Sequence, residues 1–353
     1  MTDILSMTPA EISTLLSDMG QPAYRGEQIF SWLHQKNINE FGAMKNLPLS
    51  LREKLEESCS ITRLTTVEKH ISRKDGTRKY LSLLKTGITE DTYIESVLMT
   101  YKHGASVCIS TQAGCKMGCV FCASGQSGFQ RNLTAGEYCA QVYAAIKDLE
   151  KQRLGNIVLM GCGEPLDNLQ ATLRFIELIT HPKGVNIGQR NITISTCGLI
   201  PQIHELADKR LQVTLAISLH APTDNIRQVL MPISASYPLK ELIPACRRYA
   251  ELTRRRITFE YALVKGLNTH PNQAKELAKL LHGLLCHVNL IPINKGPGDF
   301  APASQGEIAA FGEVLSQSNI PVTIRRSLGG DIEGACGQLR TKNRGAKLVI
   351  CHE

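Results

Sequence analysis

From residue 107 to about residue 325, short apolar runs alternate with amphipathic stretches, and this alternation constrains the fold more than any other feature of the chain. The strand-like runs fall at 107–111, 156–160, 192–196, 213–218, 257–262 and 287–291, with a further one at 322–325. Helical patterns lie between them. The clearest spans 134 to about 152, where Thr134 is placed as N-cap, Glu137 follows three residues later and Leu133 and Tyr138 form an apolar staple. Strands separated by helices pair in parallel, because the chain must cross back before the next strand begins. Six such units predict an α/β fold built on a partial (β/α)6 barrel. In barrels of this kind the chemistry sits on the loops that follow the strand C-termini.

Ahead of the alternation lie two other patterns. Residues 1–56 read as a small helical accessory unit. Thr8-Pro9-Ala10-Glu11 combines an N-cap hydroxyl, an early proline and a capping-box glutamate, and Gly20 suits the far end of that helix. Ile29, Phe30, Trp32 and Leu33 mark a second helix, and 51–57 a third. Residues 57–105 alternate at period two around Lys74-Asp75-Gly76-Thr77, a hairpin turn, and predict a short antiparallel β linker. The barrel core is then 106–340, followed by a basic tail at 341–353.

The 353 residues, 42% hydrophobic and 20% charged, describe a globular chain with a sizeable core. No apolar run approaches the roughly 20 residues that span a bilayer, which excludes an integral membrane role. Twelve cysteines would suggest disulfides in a secreted protein. The first residues lack a basic segment followed by an apolar one, so a cytoplasmic chain using its thiols for metal or redox chemistry is expected. The net charge of +8 is partly local. Arg247, Arg248, Arg254, Arg255 and Arg256 form one cluster, and Arg340, Lys342, Arg344 and Lys347 another. Such clusters suit a polyanion, although a solvated helix face and a frayed tail would look the same.

Three thiols lie within eight residues at Cys115, Cys119 and Cys122, on the loop after the first barrel strand. Thiolates are soft ligands for iron–sulfur clusters or zinc. Three are one short of a closed structural site and leave a position open. Other polar groups also follow strands: Gly161-Cys162-Gly163-Glu164-Pro165, Ser195-Thr196-Cys197-Gly198, Ser218-Leu219-His220 and Asn294. Each alone is an ordinary turn. Their shared place at successive strand ends gathers them above one centre.

The Cys115-x3-Cys119-x2-Cys122 spacing, with Phe121 before the last thiol, resembles the cluster motif of the radical S-adenosylmethionine (SAM) superfamily. More narrowly, the chain resembles the RlmN/Cfr family of RNA adenine methyltransferases over nearly its whole length. That resemblance is carried by the N-terminal helices, 126–133, the Gly-x-Gly-Glu-Pro turn, Ser195-Thr196, Ser218-Leu219-His220, 289–292 and 334–339. Pro165 after Glu164 matches the branch that methylates carbon 2 of adenine, where the carbon-8 branch tends to carry alanine.

The resemblance implies one 4Fe–4S cluster on Cys115, Cys119 and Cys122, and two SAM molecules per turnover. It implies that Gly163 and Glu164 meet the amino end of SAM, while Ser195, Ser218, Leu219, His220 and Asn294 hold its ribose, carboxylate and adenine. Cys336 would accept a methyl group, a 5′-deoxyadenosyl radical would remove hydrogen from it, and the methylene radical would add to the base. Glu95 would accept the proton, and Cys108 would attack the Cys336 sulfur, releasing product and leaving a transient disulfide. The implied partners are RNA (adenosine 2503 of 23S rRNA and adenosine 37 of tRNAs), gripped by the N-terminal helices and basic clusters, and an external electron donor such as flavodoxin or ferredoxin. Beside this reading stand the same chemistry at carbon 8, and a zinc site of Cys108, Cys115, Cys119 and Cys122 on a non-catalytic RNA-binding protein. Cys59, Cys139, Cys246, Cys286 and Cys351 are expected as small apolar fillers or surface thiols. Cys162 and Cys197 sit beside the motif turns.

Overall fold

The computed structural model describes residues 1–85, 92–102, 104–126, 128–149, 152–293, 300–335 and 337–339. Strand β1 (Thr2–Asp3) pairs in parallel with β2 (Cys59–Ser60), tying the start of the helical unit to its end. Between them run helices Pro9–Asp18, Tyr24–His34 and Leu49–Ser58. Both bonds of the Thr8–Glu11 capping box form, and Gly20 follows the first helix at a φ of +71°.

Next come β3 (Arg63–Ile71), β4 (Arg78–Lys85), β5 (Thr92–Tyr101) and β6 (Gly104–Cys108), antiparallel in sequence order. The short antiparallel pair β7 (Gln112–Gly114) and β8 (Phe129–Asn132) brackets the cysteine loop. The barrel continues through β9 (Leu154–Leu159), β10 (Ile192–Thr196), β11 (Thr214–Ser218), β12 (Ile257–Leu263), β13 (Cys286–Pro292) and β14 (Val322–Ile324). One ten-stranded sheet results, ordered β14-β13-β12-β11-β10-β9-β6-β5-β4-β3. It is parallel from β14 to β6 and antiparallel beyond.

Three expectations change. The linker is no separate sheet, because β5 is buried along nearly its whole length and hydrogen-bonds directly to the first barrel strand. That strand also ends at Cys108 rather than at 111. The Gln141 side chain accepts from the Ser110 N–H at 2.8 Å and donates to its carbonyl at 2.9 Å, taking the place of ladder partners. The helix opened by the Thr134–Glu137 capping box stops at Asp148. There the Asp148 carboxylate accepts from Lys69, Arg78 and Tyr80 of the antiparallel strands.

The helical unit docks on the outer helices Ala135–Asp148 and Leu169–Thr180. Ser6 Oγ accepts the Gly136 N–H at 2.9 Å, and Glu11 pairs with Arg174 at 2.6 Å. A buried bond of 2.6 Å joins His34 Nδ1 and the Tyr143 hydroxyl. Ile4, Leu5, Phe30 and Leu33 belong to the same contiguous core as Tyr138 and Ile179. Among the described residues, no helix is long and apolar enough to cross a membrane.

Candidate active site

Backbone constraints shape the cysteine loop before any side chain acts. Gly114 has a φ of +75°, and a Cβ there would lie 1.6 Å from the Gly128 carbonyl oxygen, so only glycine closes the β7–β8 pair. Two bonds pin the loop: Val120 N–H to the Leu230 carbonyl at 3.1 Å, and Ala123 N–H to the Gly337 carbonyl at 2.8 Å. Cys115, Cys119 and Cys122 then wall one cavity at the strand C-terminal rim, as the spacing implied. None of the three is in a disulfide.

Burial, assisted by Glu164 and the neighbouring thiols, pushes the Cys115 thiol up to about 12. Cys119 moves up for the same leading reason. Thiolates gathered here therefore call for a cationic centre to bind them. Among the described residues, no three His, Cys, Asp or Glu side chains are grouped so that they could hold a metal ion. A lone zinc draws its ligands to about 2.3 Å from a common point. A 4Fe–4S cluster takes each cysteine on a different iron, so its ligands stand farther apart. Three soft thiols on one loop, one short of a closed four-ligand set, are a donor set that suits an iron–sulfur cluster with one open iron. Cys108, the fourth ligand of the zinc reading, lines a different cavity.

The Gly161-Cys162-Gly163-Glu164 turn presses on 109–112. A Cβ at Gly163, whose φ is +108°, would lie 2.6 Å from the Gln112 amide nitrogen, and one at Gly161 would lie 2.7 Å from the Ile109 carbonyl. Close approach brings Glu164 into the cavity, 4% exposed. Its carboxylate accepts from the N–H groups of Leu166 (3.0 Å) and Cys197 (2.8 Å). Burial still raises its pKa above the ordinary carboxylate value. A buried anion held only by dipoles suits a cationic ligand group such as an ammonium.

Ser195 and Ser218 line the same cavity at the ends of β10 and β11. His220 joins them from a left-handed backbone at φ +58°. Its Nδ1 accepts the Ala262 N–H at 3.0 Å, its ring meets Phe121 edge-on at 5.0 Å, and burial pushes its pKa down to about 3. His220 is therefore a neutral ring with its proton on Nε2. Leu219, between Ser218 and His220, has its side chain fully buried in the hydrophobic core, away from the cavity lining.

A second cavity adjoins the first and shares Met160, Ile291 and Arg325 with it. Cys108 lines this one, with Val97 and Met99 of β5. Glu95 lies on the same strand, 2% exposed and paired with Lys79 at 3.0 Å. Glu95 is thus a buried, ion-paired carboxylate and not part of a solvated strand face. Cys336 and Asn294 lie outside the described residues. Of their neighbours, Ala335 lines the second cavity, while Gly337 and Ile293 line the first.

The arginine cluster at 247–256 is not near the rim. Arg255 bonds to Thr214 at the start of β11, and Arg248 pairs with Asp208 of the helix before that strand. The cluster caps the strand N-termini, opposite the cavities, so it does not share a face with them. The basic tail lies outside the described residues. Cationic groups that do stand at the second cavity are Lys102, Arg325 and Arg326, beside Tyr101. Sequence reading missed them, because single cations scattered over three segments make no local cluster. It also missed Glu260, 5% exposed on β12 in the first cavity, where Asn289 donates to it at 2.8 Å. Only strand register could have flagged that residue. Cys59, Cys139, Cys246 and Cys286 are buried, and Cys351 lies outside the described residues.

An open α/β barrel with three thiols on the loop after its first parallel strand, and glycine, glutamate and serine groups on the next rims, defines a radical SAM enzyme. The model of the Radical SAM superfamily matches residues 109–280, and that of the ribosomal RNA large subunit methyltransferase N-terminal domain matches 2–61. Over 341 residues the chain is 48% identical to a probable dual-specificity RNA methyltransferase RlmN of Clostridium novyi, covering 96% of this chain and 98% of that one. The corresponding Geobacillus kaustophilus protein is 48% identical over 344 residues, with 97% and 93% covered. A radical SAM methyltransferase from Sphaerobacter thermophilus superposes with a TM-score of 0.92 at 45% identity, covering 97% of this chain and all of that one. The chain belongs to the RlmN family of radical SAM RNA methyltransferases, a family that implies a 4Fe–4S cluster and SAM.

Proposed function

We propose that this chain methylates carbon 2 of adenine in RNA, in both 23S rRNA and tRNA, in the cytoplasm, with the methyl carried on Cys336. One observation carries the reading: two adjoining cavities, the three-cysteine loop in one and Cys108 in the other, with the neighbours of Cys336 divided between them. When bound, the cluster on Cys115, Cys119 and Cys122 supplies the electron that opens SAM, of which one molecule gives the methyl and a second the radical.

The remaining work falls to side chains. Glu164, beside Gly163, complements the ammonium of SAM, and Ser195, Ser218 and Asn294 bond its polar groups. His220 donates from Nε2, because Nδ1 is occupied by the Ala262 N–H. Glu95, buried beside Lys79 at 3.0 Å, accepts the carbon-2 proton. The Cys108 thiolate attacks the sulfur of Cys336: an S–S bond forms as the bond from that sulfur to the product methylene breaks, and that carbon keeps the bonding pair and takes up a proton to become the methyl group, leaving a disulfide on the protein. A donor such as flavodoxin or ferredoxin supplies electrons from outside. Lys102, Arg325 and Arg326 face the RNA backbone at the second cavity.

Cys108→Ala made in cells tests the sequence of events. RNA covalently attached to the purified protein through Cys336 is expected, and protein free of nucleotide would count against the mechanism. Digestion of RNA methylated by the wild type is expected to yield 2-methyladenosine. Recovery of 8-methyladenosine would move the chain to the carbon-8 reaction.

A further inference from the structure

Arg227 is the largest fully buried side chain among the described residues, at 0% exposure. It lies on the helix Asp224–Leu230, whose last carbonyl accepts the Val120 N–H of the cysteine loop. Its guanidinium donates only to backbone carbonyls: Nη1 to Tyr237 at 3.0 Å, and Nη2 to Cys197 at 2.6 Å and Ser218 at 3.5 Å. Nε is buried with no partner, and no carboxylate of the described residues forms an ion pair with it. Asp224, one turn earlier on the helix, acts on it only at a distance, since its carboxylate accepts the Leu239 N–H at 2.8 Å. A buried charge with no ion-pair contact is costly, and truncation to an apolar residue is often tolerated where only packing is needed.

The surroundings point to what it balances. Cys197 offers its carbonyl to Arg227 and its N–H to Glu164, so the backbone of one residue separates the cation from the carboxylate of the cofactor cavity. The field of Arg227 also reaches Cys119, Cys197 and His220. Three thiolates on a cluster that takes up an electron add negative charge in this same buried region. Cluster potentials respond to net charge and to burial.

We propose that Arg227 is a positioning residue that raises the reduction potential of the cluster, by placing one buried positive charge behind the loop of Cys115, Cys119 and Cys122. The inference rests on the reading that those cysteines hold the cluster. It assigns no contact between Arg227 and the cluster or SAM. The charge acts through the buried medium, and the three carbonyls hold it in place.

Spectroelectrochemical titration of the anaerobically reconstituted full-length protein is the test, with iron content measured alongside. Arg227→Met removes the charge and keeps much of the volume, whereas Arg227→Lys keeps the charge and loses the planar fork. The methionine variant is expected to be harder to reduce by at least about tenfold in the reduction equilibrium, which is about 59 mV for one electron. The lysine variant is expected to stay within about threefold of wild type, or about half that shift. Equal potentials in wild type and the methionine variant would overturn the inference, as would a lysine variant shifted as far as methionine. A folded methionine variant without iron would overturn it too, by making Arg227 a strut. If the methionine variant does not fold, Arg227→Gln, which loses the charge but keeps a hydrogen-bond donor, takes its place with the same expected shift, and equal potentials in it and wild type would overturn the inference. Absence of iron from the wild type itself would instead refute the cluster reading, which separates the two failures.

Discussion

Gly163 shows how tightly single residues are specified at the rim. Its φ of +108° and the 2.6 Å that a Cβ would leave to the Gln112 amide leave no room for any side chain. Backbone strain of this kind costs on the order of 1–3 kcal/mol before any clash is relieved. Gly163→Ala is therefore expected to lower the melting temperature by several degrees and to impair retention of SAM, read by equilibrium dialysis. A variant that melts with wild type and binds normally would show that the turn tolerates a Cβ after all. Gly163 and Glu164 were legible in the sequence because a glycine–glutamate turn after a strand is a local signal. Glu260 and Arg227 were not. Each becomes meaningful only because folding buries it at 5% and 0% exposure, beside residues from other elements. Leu219 lies between two cavity residues, and its side chain is packed in the core.

At the scale of elements, the contact between helix Tyr24–His34 and helix Ala135–Asp148 carries a pH dependence. Burial first, and then the neighbouring His181, pushes His34 down to about 3 from an ordinary 6.5. The folded protein holds this ring neutral, and the unfolded chain takes up a proton below about 6.5. Stability from this site is full above about pH 6.5 and falls toward pH 3, by about 1.4 kcal/mol per pH unit. Urea midpoints should therefore decline on acidification. His34→Leu should be less stable at neutral pH, because the Tyr143 hydroxyl loses its bond to the ring and keeps only the Cys139 thiol, and should show a shallower decline. An unchanged slope would place the acid sensitivity elsewhere, with His220 the next group to test. The elements themselves were mostly readable, since strand–helix alternation is local. What alternation did not give was the partner of each edge. The antiparallel strands read as a linker, but β5 pairs with the first barrel strand and extends one sheet.

Across the whole molecule, charge and core make separate statements. The excess of +8 is not one patch. Arg247, Arg248 and Arg255 serve the strand N-termini, while Lys102 and Arg326 stand at the second cavity. Replacing Lys102 and Arg326 by alanine should weaken RNA binding and reduce the salt slope by about 1 to 2. Replacing Arg247 and Arg255 should leave both nearly unchanged, and the reverse pattern in filter binding would move the RNA to the other rim. The core gives a second statement, because the helical unit and the barrel share one contiguous apolar cluster and have no seam between two cores. Trp32, the single tryptophan of the chain, sits in the helical unit, half-buried with the Lys36 ammonium 3.6 Å from its ring centroid. Its fluorescence reports on that unit, while far-ultraviolet circular dichroism is dominated by the barrel. If the shared core makes them one cooperative body, the two signals will follow a single urea transition with the same midpoint. A tryptophan transition completed at lower urea, with the barrel signal intact, would mean that the 2.6 Å bond between His34 and Tyr143 and the surrounding apolar contacts are too weak to couple the unit to the barrel.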